Sequence, residues 1–326
     1  MSRESDLPLE TSDAPRIGAI IPNWNGFQFT IACLESILGL DYPQGKLEVI
    51  VVDNGSTDHS VEQINLWWQQ NRIRTEIKFQ VLKAGANIGA PAAYNLGILN
   101  LRTDIDIIWK LDNDVVIPTD YLQILLRKSS ILKDPQTVAV TGQVRRYDDF
   151  ADETIGSRIY PTFKKWTRVV EPISVSQLIS GAVQQVDLVM LHGASTLYVA
   201  SVLASEKFDA RFFLYYDDTE LGIRLRRLGY HFEVILDTHV LHWSSKSTQS
   251  ISATRIYFWA RNQLLLGDIV FKGIPRIWYR IVQLLLIPWK FYRWVLVFGS
   301  SPRSTCAHYF LKGVWDFWRG KFGPMD

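Results

Sequence analysis

Cysteine is nearly absent: the 326-residue chain holds only Cys33 and Cys306. They fit no CxxC spacing, which argues against a disulfide framework or a thiolate metal site and favours a reducing compartment. Proline (13) and glycine (20) are scattered along the chain, which excludes a collagenous or low-complexity architecture. A membrane-spanning helix needs about 20 largely uninterrupted apolar residues. The most apolar stretch, residues 276–298, is broken by Arg276, Arg280, Lys290 and Arg293, with Pro288 inside it, so it does not read as a span. Residues 1–15 carry four acids and no apolar run; they read as a solvated tail, not as a signal peptide. The chain is 47% hydrophobic and 21% charged, long enough for one large domain with an appendage or for two modest domains.

The net charge of +2 conceals an asymmetry. Residues 255–326 hold 11 Lys/Arg against three acids, giving +8. The remainder has 24 against 30, giving −6. The basic region also holds six of the 12 Trp and 17 of the 41 aromatic residues. That density is unlike basic, polar nucleic-acid tails and suits an anionic membrane surface. With ~100° per residue, Arg276, Arg280, Gln283, Lys290 and Arg293 fall in one arc and leave Trp278, Ile281, Leu284, Leu285, Trp289 and Val295 mostly elsewhere. This predicts an amphipathic helix lying in the plane of a membrane, or a pair kinked at Pro288. Packing of the same helix on the protein's own core, or use of its aromatic face as a subunit interface in a homo-oligomer, is the alternative.

Further upstream, short β-rich runs alternate with helical patterns. IGAIIP (17–22), LEVIVVD (47–53), KFQVLK (78–83) and DIIWKLD (106–112) read as buried strands. Residues 27–40 and 60–71 read as helices, the second preceded by Ser56, Thr57 and Asp58, which can cap it. The βαβαβ order predicts an α/β fold with a doubly wound, largely parallel sheet. Ligands of such sheets bind beyond the carboxyl ends of the strands. Polar residues gather at those ends: Pro22, Asn23, Trp24 and Asn25; Asp53, Asn54, Gly55 and Ser56; Asp112, Asn113 and Asp114.

Asp112 and Asp114, two positions apart after an apolar strand, are expected on one side of it. Two like charges held close call for a cation between them, which Mg²⁺ or Mn²⁺ with substrate phosphate oxygens supplies. GANIGAPAAYNLGI (85–98) places Asn87 and Gly89 in a turn and Pro91 at a helix start. Its small residues suit either a diphosphate at the helix amino terminus or tight packing of helix on sheet. In FFLYYDDTELGIRLRRLGY (212–230), Asp217, Asp218 and Glu220, with Asp209 upstream, open a helix that later carries Arg224, Arg226 and Arg227. Helix-dipole capping accounts for part of that pattern. A carboxylate there also suits a general base acting on an acceptor hydroxyl. His239 and His242 lie near the end of a further strand (234–245), where His242 either completes a metal shell with Asp114 or caps the loop.

Together IIPNWNG, VVDNGSTD, GANIGAPAAYNLG, LDNDVV, FDARFFLYYDDTELGIRLRRLGY and LHWSSKS resemble the family 2 glycosyltransferases, and in particular the bacterial rhamnosyltransferase-like branch. The resemblance runs from about Arg16 to Asn262; the RNQLL stretch and the closing GVWDFWRGKFG are similar to tails of that branch. It implies a GT-A fold, a nucleotide-diphosphate sugar as donor (dTDP-rhamnose or a UDP-sugar), a divalent metal (Mn²⁺ or Mg²⁺) and inversion at the anomeric carbon. Carried over, Pro22, Asn25, Asp53 and Asn87 would line the nucleoside pocket. Asp112, with Asn113 beside it, would face the ribose and diphosphate, and Asp112, Asp114 and His242 would hold the metal. Asp218 would be the base. The first acid of that pair is Asp217 where family members commonly carry Glu, and Glu220 replaces the commoner Asp, so the base lies between Asp217 and Asp218.

The domain expectation is a tail (1–15), a GT-A catalytic domain (16–254) and a helical membrane-surface or interface extension (255–326). The protein is expected in the cytoplasm, peripheral at the inner face of the cell membrane, acting on a glycan or lipid-linked hydroxyl in cell-surface polysaccharide synthesis, without nucleic acid. A non-catalytic sugar-nucleotide or glycan-binding protein on the same fold is the competing class. A sugar nucleotidyltransferase is a second one, although PNWNG after the first strand lacks the Lys or Arg of a phosphate loop.

Overall fold

The computed structural model describes residues 14–148, 150–151, 154–159, 166, 168–243, 251–300 and 302–325. Residues 1–13, and Ser244 and Ser245 at the end of the last expected strand, lie outside them. In chain order the elements are β1 (Ile17–Asn23), α1 (Phe27–Leu38), β2 (Leu47–Asp53), α2 (Ser60–Asn71), β3 (Lys78–Lys83), α3 (Ala90–Asn100), β4 (Ile107–Leu111), β5 (Val115–Val116) and α4 (Tyr121–Lys128). There follow β6 (Thr137–Arg146), β7 (Gly156–Ile159), β8 (Val170–Ile173), α5 (Val175–Ile179), β9 (Met190–Leu191), β10 (Ser195–Val199), α6 (Ala200–Ser205), α7 (Asp217–Arg227) and β11 (His231–His242). The chain closes with α8 (Ala253–Val270), α9 (Gly273–Phe291), a π-helical turn over Tyr292–Val297, and α10 (Arg303–Trp318).

One eight-stranded sheet organises the body in the order β3-β2-β1-β4-β10-β6-β11-β5. Strands β3, β2, β1 and β4 are parallel, as are β6 and β11, whereas β10 and β5 run against their neighbours. A small antiparallel sheet, β8-β7-β9, stands apart. Alternation of side chains sends Ile17, Ala19 and Ile21 of β1 to one face, against Leu34, Ile37, Ile64 and Trp67 of α1 and α2. Ile20 goes to the other face with Ala93, Tyr94 and Ile98 of α3. There α3 lies so close that a Cβ on Gly97 would collide with Ile20, so part of the small-residue pattern serves helix-on-sheet packing.

Two local expectations are corrected. β3 is an edge strand with Lys78, Gln80 and Lys83 exposed; lysines on an edge discourage strand addition, which explains a polar content unlike that of a buried strand. Asp112 and Asp114 sit in the turn between β4 and β5, so the turn, not strand alternation, aligns them. Pro91 stands in the first turn of α3, next to Ala90, as expected of a helix start.

Both cysteines are free and buried. No helix among the described residues is long and apolar enough to cross a membrane. α8 and α10 pack together, and α8 also enters the body of the protein through a fully buried arginine, Arg261.

Candidate active site

The carboxyl ends of β1, β2 and β4 open onto a cavity of about 410 Å³ lined by Pro22, Asn23, Trp24, Asn54, Asn87, Tyr94, Asp112, Asn113 and Asp114, and also by Phe213, Leu214, Thr254 and Phe258. Asp53 and Asn25 are not among the lining residues. Asp53 is buried and accepts from Asn23 Nδ2 (3.2 Å) and Ser56 N (3.2 Å). Asn25 accepts from Thr57 N (2.8 Å) with its side-chain oxygen. They tie the β1 and β2 loops together and so set the rim. Asn87 does similar work: its side-chain oxygen accepts from Gly89 N (3.0 Å) and Asn54 Nδ2 (3.1 Å). Asn113 donates to Thr30 Oγ1 (3.0 Å).

Pairing of β11 with β5, His242 opposite Val115, carries a histidine 128 positions downstream of Asp114 to its side. Trp243 N donates to Asp114 O (2.8 Å) and fixes the approach. His242 Nε2 lies 3.3 Å from Asp114 Oδ1. Asp112, Asp114 and His242 each offer one ligand atom, all within 4.8 Å of one another. This is a hard, oxygen-rich donor set with one imidazole, which suits Mn²⁺ or Mg²⁺ with phosphate oxygens.

Behind this cluster stands a residue the sequence reading missed. Lys110, on β4, is 3% exposed. Its ammonium donates to Gly193 O (2.7 Å) and lies 3.3 Å from Asp218 Oδ2 and 3.8 Å from Asp112 Oδ1, 4.5 Å above the Tyr94 ring. Burial works against its charge, but the carboxylates of Asp218, Asp112 and Asp217 outweigh burial and hold its pKa up. The signal was present: a lysine inside the apolar run DIIWKLD must find carboxylates or remain a costly buried charge. Tyr94 donates to Asp112 Oδ1 (2.8 Å), and burial, reinforced by the Asp112 charge, drives its hydroxyl pKa far up, so it stays a donor.

α7 brings the acidic pair. Burial is the main cause raising the pKa of Asp218; Lys110 opposes it and Asp112 adds to it. Asp217 is raised by burial and then by the charge of Asp218. Asp218 Oδ1 is buried and has no hydrogen-bond partner among the described residues. Its other oxygen sits where a Cβ on Gly193 would strike it. Glu220 is engaged elsewhere, accepting from Arg224 Nε and Nη2 (both 3.0 Å), and Asp209 pairs with Arg211. His192, also unforeseen, packs edge-on to His242 with ring centroids 5.8 Å apart.

The loop leading into α7 is held in a strained form. Phe213, Tyr215 and Tyr216 have φ of 62°, 65° and 69°, each costing about 1–3 kcal/mol outside a setting that enforces it. α8 supplies that setting. Arg261 donates to Arg211 O and Phe212 O (both 3.1 Å), and Asn262 donates to Phe212 O (2.7 Å) and Leu214 O (2.8 Å). Ala90 N donates to Phe213 O (2.9 Å), and Gly89, at φ 84°, leaves room for Phe213. The RNQLL stretch beyond residue 254 is therefore part of the frame that positions the acidic pair.

Fold and site together define an α/β protein with an acidic, cation-type cluster at the carboxyl edge of a mostly parallel sheet. The model of glycosyl transferase family 2 matches residues 19–184, half of the chain, and the chain belongs to that family. An N-acetylglucosaminyltransferase of Azorhizobium caulinodans is 32% identical over 147 residues, 43% of this chain. The matched stretch spans 32% of that relative's length. Among solved structures, the mannosyltransferase PcManGT from Pyrobaculum calidifontis, in complex with GDP-Man and Mn²⁺, aligns over 97% of this chain and 90% of its own with a TM-score of 0.59 at 17% identity. S. aureus TarS 1–349 aligns over 95% and 94% with a TM-score of 0.53 at 11% identity. At these identities the likeness establishes the fold, which is the expected GT-A type.

Proposed function

We propose that this chain transfers a sugar from a nucleotide-diphosphate sugar to a hydroxyl of a glycan or lipid-linked acceptor, with inversion at the anomeric carbon. The observation that carries the reading is the bridge made by Lys110 between the cavity-lining Asp112 and Oδ2 of Asp218, whose Oδ1 has no hydrogen-bond partner among the described residues. The nucleotide end enters the cavity between Pro22, Asn87 and Asn113 on one side and the Phe213–Phe258 stack on the other. A divalent ion held by Asp112, Asp114 and His242 would offset the charge of the diphosphate.

Asp218 is the base on this reading and Asp217 its buried neighbour. Oδ1 of Asp218 receives the acceptor's hydroxyl proton as the oxygen attacks the anomeric carbon. The bond to the diphosphate oxygen breaks on the opposite face, which inverts the centre. Burial raises the Asp218 pKa, which makes it a stronger base, and Lys110, on Oδ2, leaves Oδ1 without a protein partner among the described residues. The catalytic unit then runs past residue 254 into α8, with the later helices as the extension.

Motif order supports the rhamnosyltransferase-like branch, with dTDP-rhamnose or a UDP-sugar as donor. UDP-N-acetylglucosamine and GDP-mannose join the screen because of the relative and the neighbour. The test is thermal stabilisation by each nucleotide sugar with and without Mn²⁺, where a donor at 100 times its Kd adds about 2.7 kcal/mol. Asp114→Ala should abolish the metal-dependent part for the same donor. Release of nucleoside diphosphate only when acceptor is added separates a transferase from a binding protein. No metal-assisted uptake of any nucleotide sugar would overturn the reading.

A further inference from the structure

The amphipathic helix expected over residues 276–298 is present as α9 and the π-helical turn after it, and along α9 it is docked with its polar side inward. On α9 the buried side chains are Tyr279, Gln283 and Lys290. Lys290 donates to Gln263 Oε1 (2.9 Å) and to Gln283, Gln283 to Trp166 O (2.7 Å), and Arg280 to Asp268 (2.8 Å). Ile274, Ile277, Trp278, Ile281, Leu284 and Leu285, at helical spacing, are exposed instead, Leu285 by 75%. The stripe continues onto α10, where Leu311, Trp315 and Trp318 are exposed. A largely apolar groove of about 500 Å³, lined by Ile287 of α9 and by these three residues with Val314, His308 and Lys312, joins the two helices. Between Ile274 and Leu285 the polar side is thus spent on the interior and the apolar side is presented, whereas further on Trp294 and Val295 pack into the core and Arg293 is exposed.

We propose that this outward face of α9 and α10 seats the protein on an anionic phospholipid bilayer. Charge selects the occupant. Residues 255–326 carry +8, and their two described acids are engaged, Asp268 with Arg280 and Asp316 with Lys312. Lys272, at the start of α9, and Arg293, just after it, are exposed, and Arg293 lies against Trp289 (5.3 Å). Apolar and indole side chains bordered by cations are what the boundary between acyl chains and anionic headgroups accepts. A second copy of the same face would set cation against cation, which disfavours self-association there. The inference is independent of the transfer reading, because it needs neither donor nor acceptor.

The test is flotation of the full chain with phosphatidylcholine vesicles containing phosphatidylglycerol, against pure phosphatidylcholine and against no lipid. The chain should float with the anionic vesicles and stay in the soluble fraction otherwise. Lys272→Gln with Arg293→Gln should lower the partition coefficient about thirtyfold, each cation near the surface contributing roughly fivefold. Trp278→Glu with Leu285→Glu should abolish flotation without shifting the unfolding midpoint, since both side chains face outward. Equal recovery with neutral vesicles, or no recovery with anionic ones, overturns the proposal. So does a dimer in sedimentation that the two glutamates dissociate while lipid has no effect.

Discussion

Replacing Asp218 by Asn tests the base assignment with little change of shape. It removes the charge of the carboxylate whose Oδ2 lies 3.3 Å from Lys110 and whose Oδ1 has no hydrogen-bond partner among the described residues. A positioned base contributes about 10²- to 10⁴-fold, or about 2.7–5.4 kcal/mol of barrier, so turnover with acceptor should fall by that factor. Donor binding should change by less than about threefold, because Asp218 is absent from the cavity lining and its removal takes away no contact there. The folded-state pKa of Asp218 is raised. The folded state therefore holds its proton to higher pH than the unfolded state, and stability falls as pH rises through that range. Above it Asp218→Asn should leave stability unchanged or slightly higher, with the loss of one Lys110 partner as the opposing contribution. The acid limb of kcat against pH should sit above the ordinary carboxylate range in the natural protein and vanish in the variant. Nucleoside diphosphate release, donor affinity by calorimetry and chemical unfolding give the three readouts. Turnover within threefold of normal, with intact folding, would refute the assignment of Asp218 as base.

Lys110→Met should cost about 3–5 kcal/mol in chemical unfolding, because it leaves buried carboxylates without their cation; adding Asp218→Asn should recover part of the loss, and equal loss in both variants would show that the charge pair is not what matters. Gly193→Ala places a methyl group on the Asp218 carboxylate and 3.0 Å from Lys110 Nζ. It should lower kcat about 100-fold through misplacement of the base with under about 1 kcal/mol of destabilisation, checked by steady-state kinetics beside unfolding. Lys290 is pushed down to about 7 by burial, then by Arg168. Between that value and the unfolded lysine's 10.5 the unfolded state binds more protons, so stability should rise with pH at up to about 1.4 kcal/mol per unit and level off below the folded value. In Lys290→Met that slope between about pH 7.5 and about pH 9 should disappear, and an unchanged slope would assign it to other groups.

Several parts of the site were legible because each rests on local chemistry. Asp112 and Asp114 follow an apolar run, and acids open α7 where a helix amino terminus tolerates them. Lys110 and Gly193 were not read, although a charge inside an apolar strand is a visible anomaly. Its meaning depends on Asp218 and the Gly193 carbonyl arriving from distant segments. Asn25 and Asp53 were visible as loop residues, but whether such groups face a ligand or brace a neighbouring loop depends on side-chain direction, which spacing does not encode.

The amino-acid sequence by itself determined the α/β alternation, the strand ends at which polar residues gather, and the amphipathic pattern of residues 276–298, because side-chain period and turn chemistry act over a few residues. Only the tertiary structure decided which strand became the exposed edge, that His242 meets Asp114 through β11–β5 pairing, and that Arg261 and Asn262 hold the loop before the acidic pair. It also decided that α9 turns its polar side inward. Periodicity fixes the width of a stripe but not the direction it faces; that depends on whether the protein interior offers Gln263, Asp268 and the Trp166 carbonyl to meet buried polar groups.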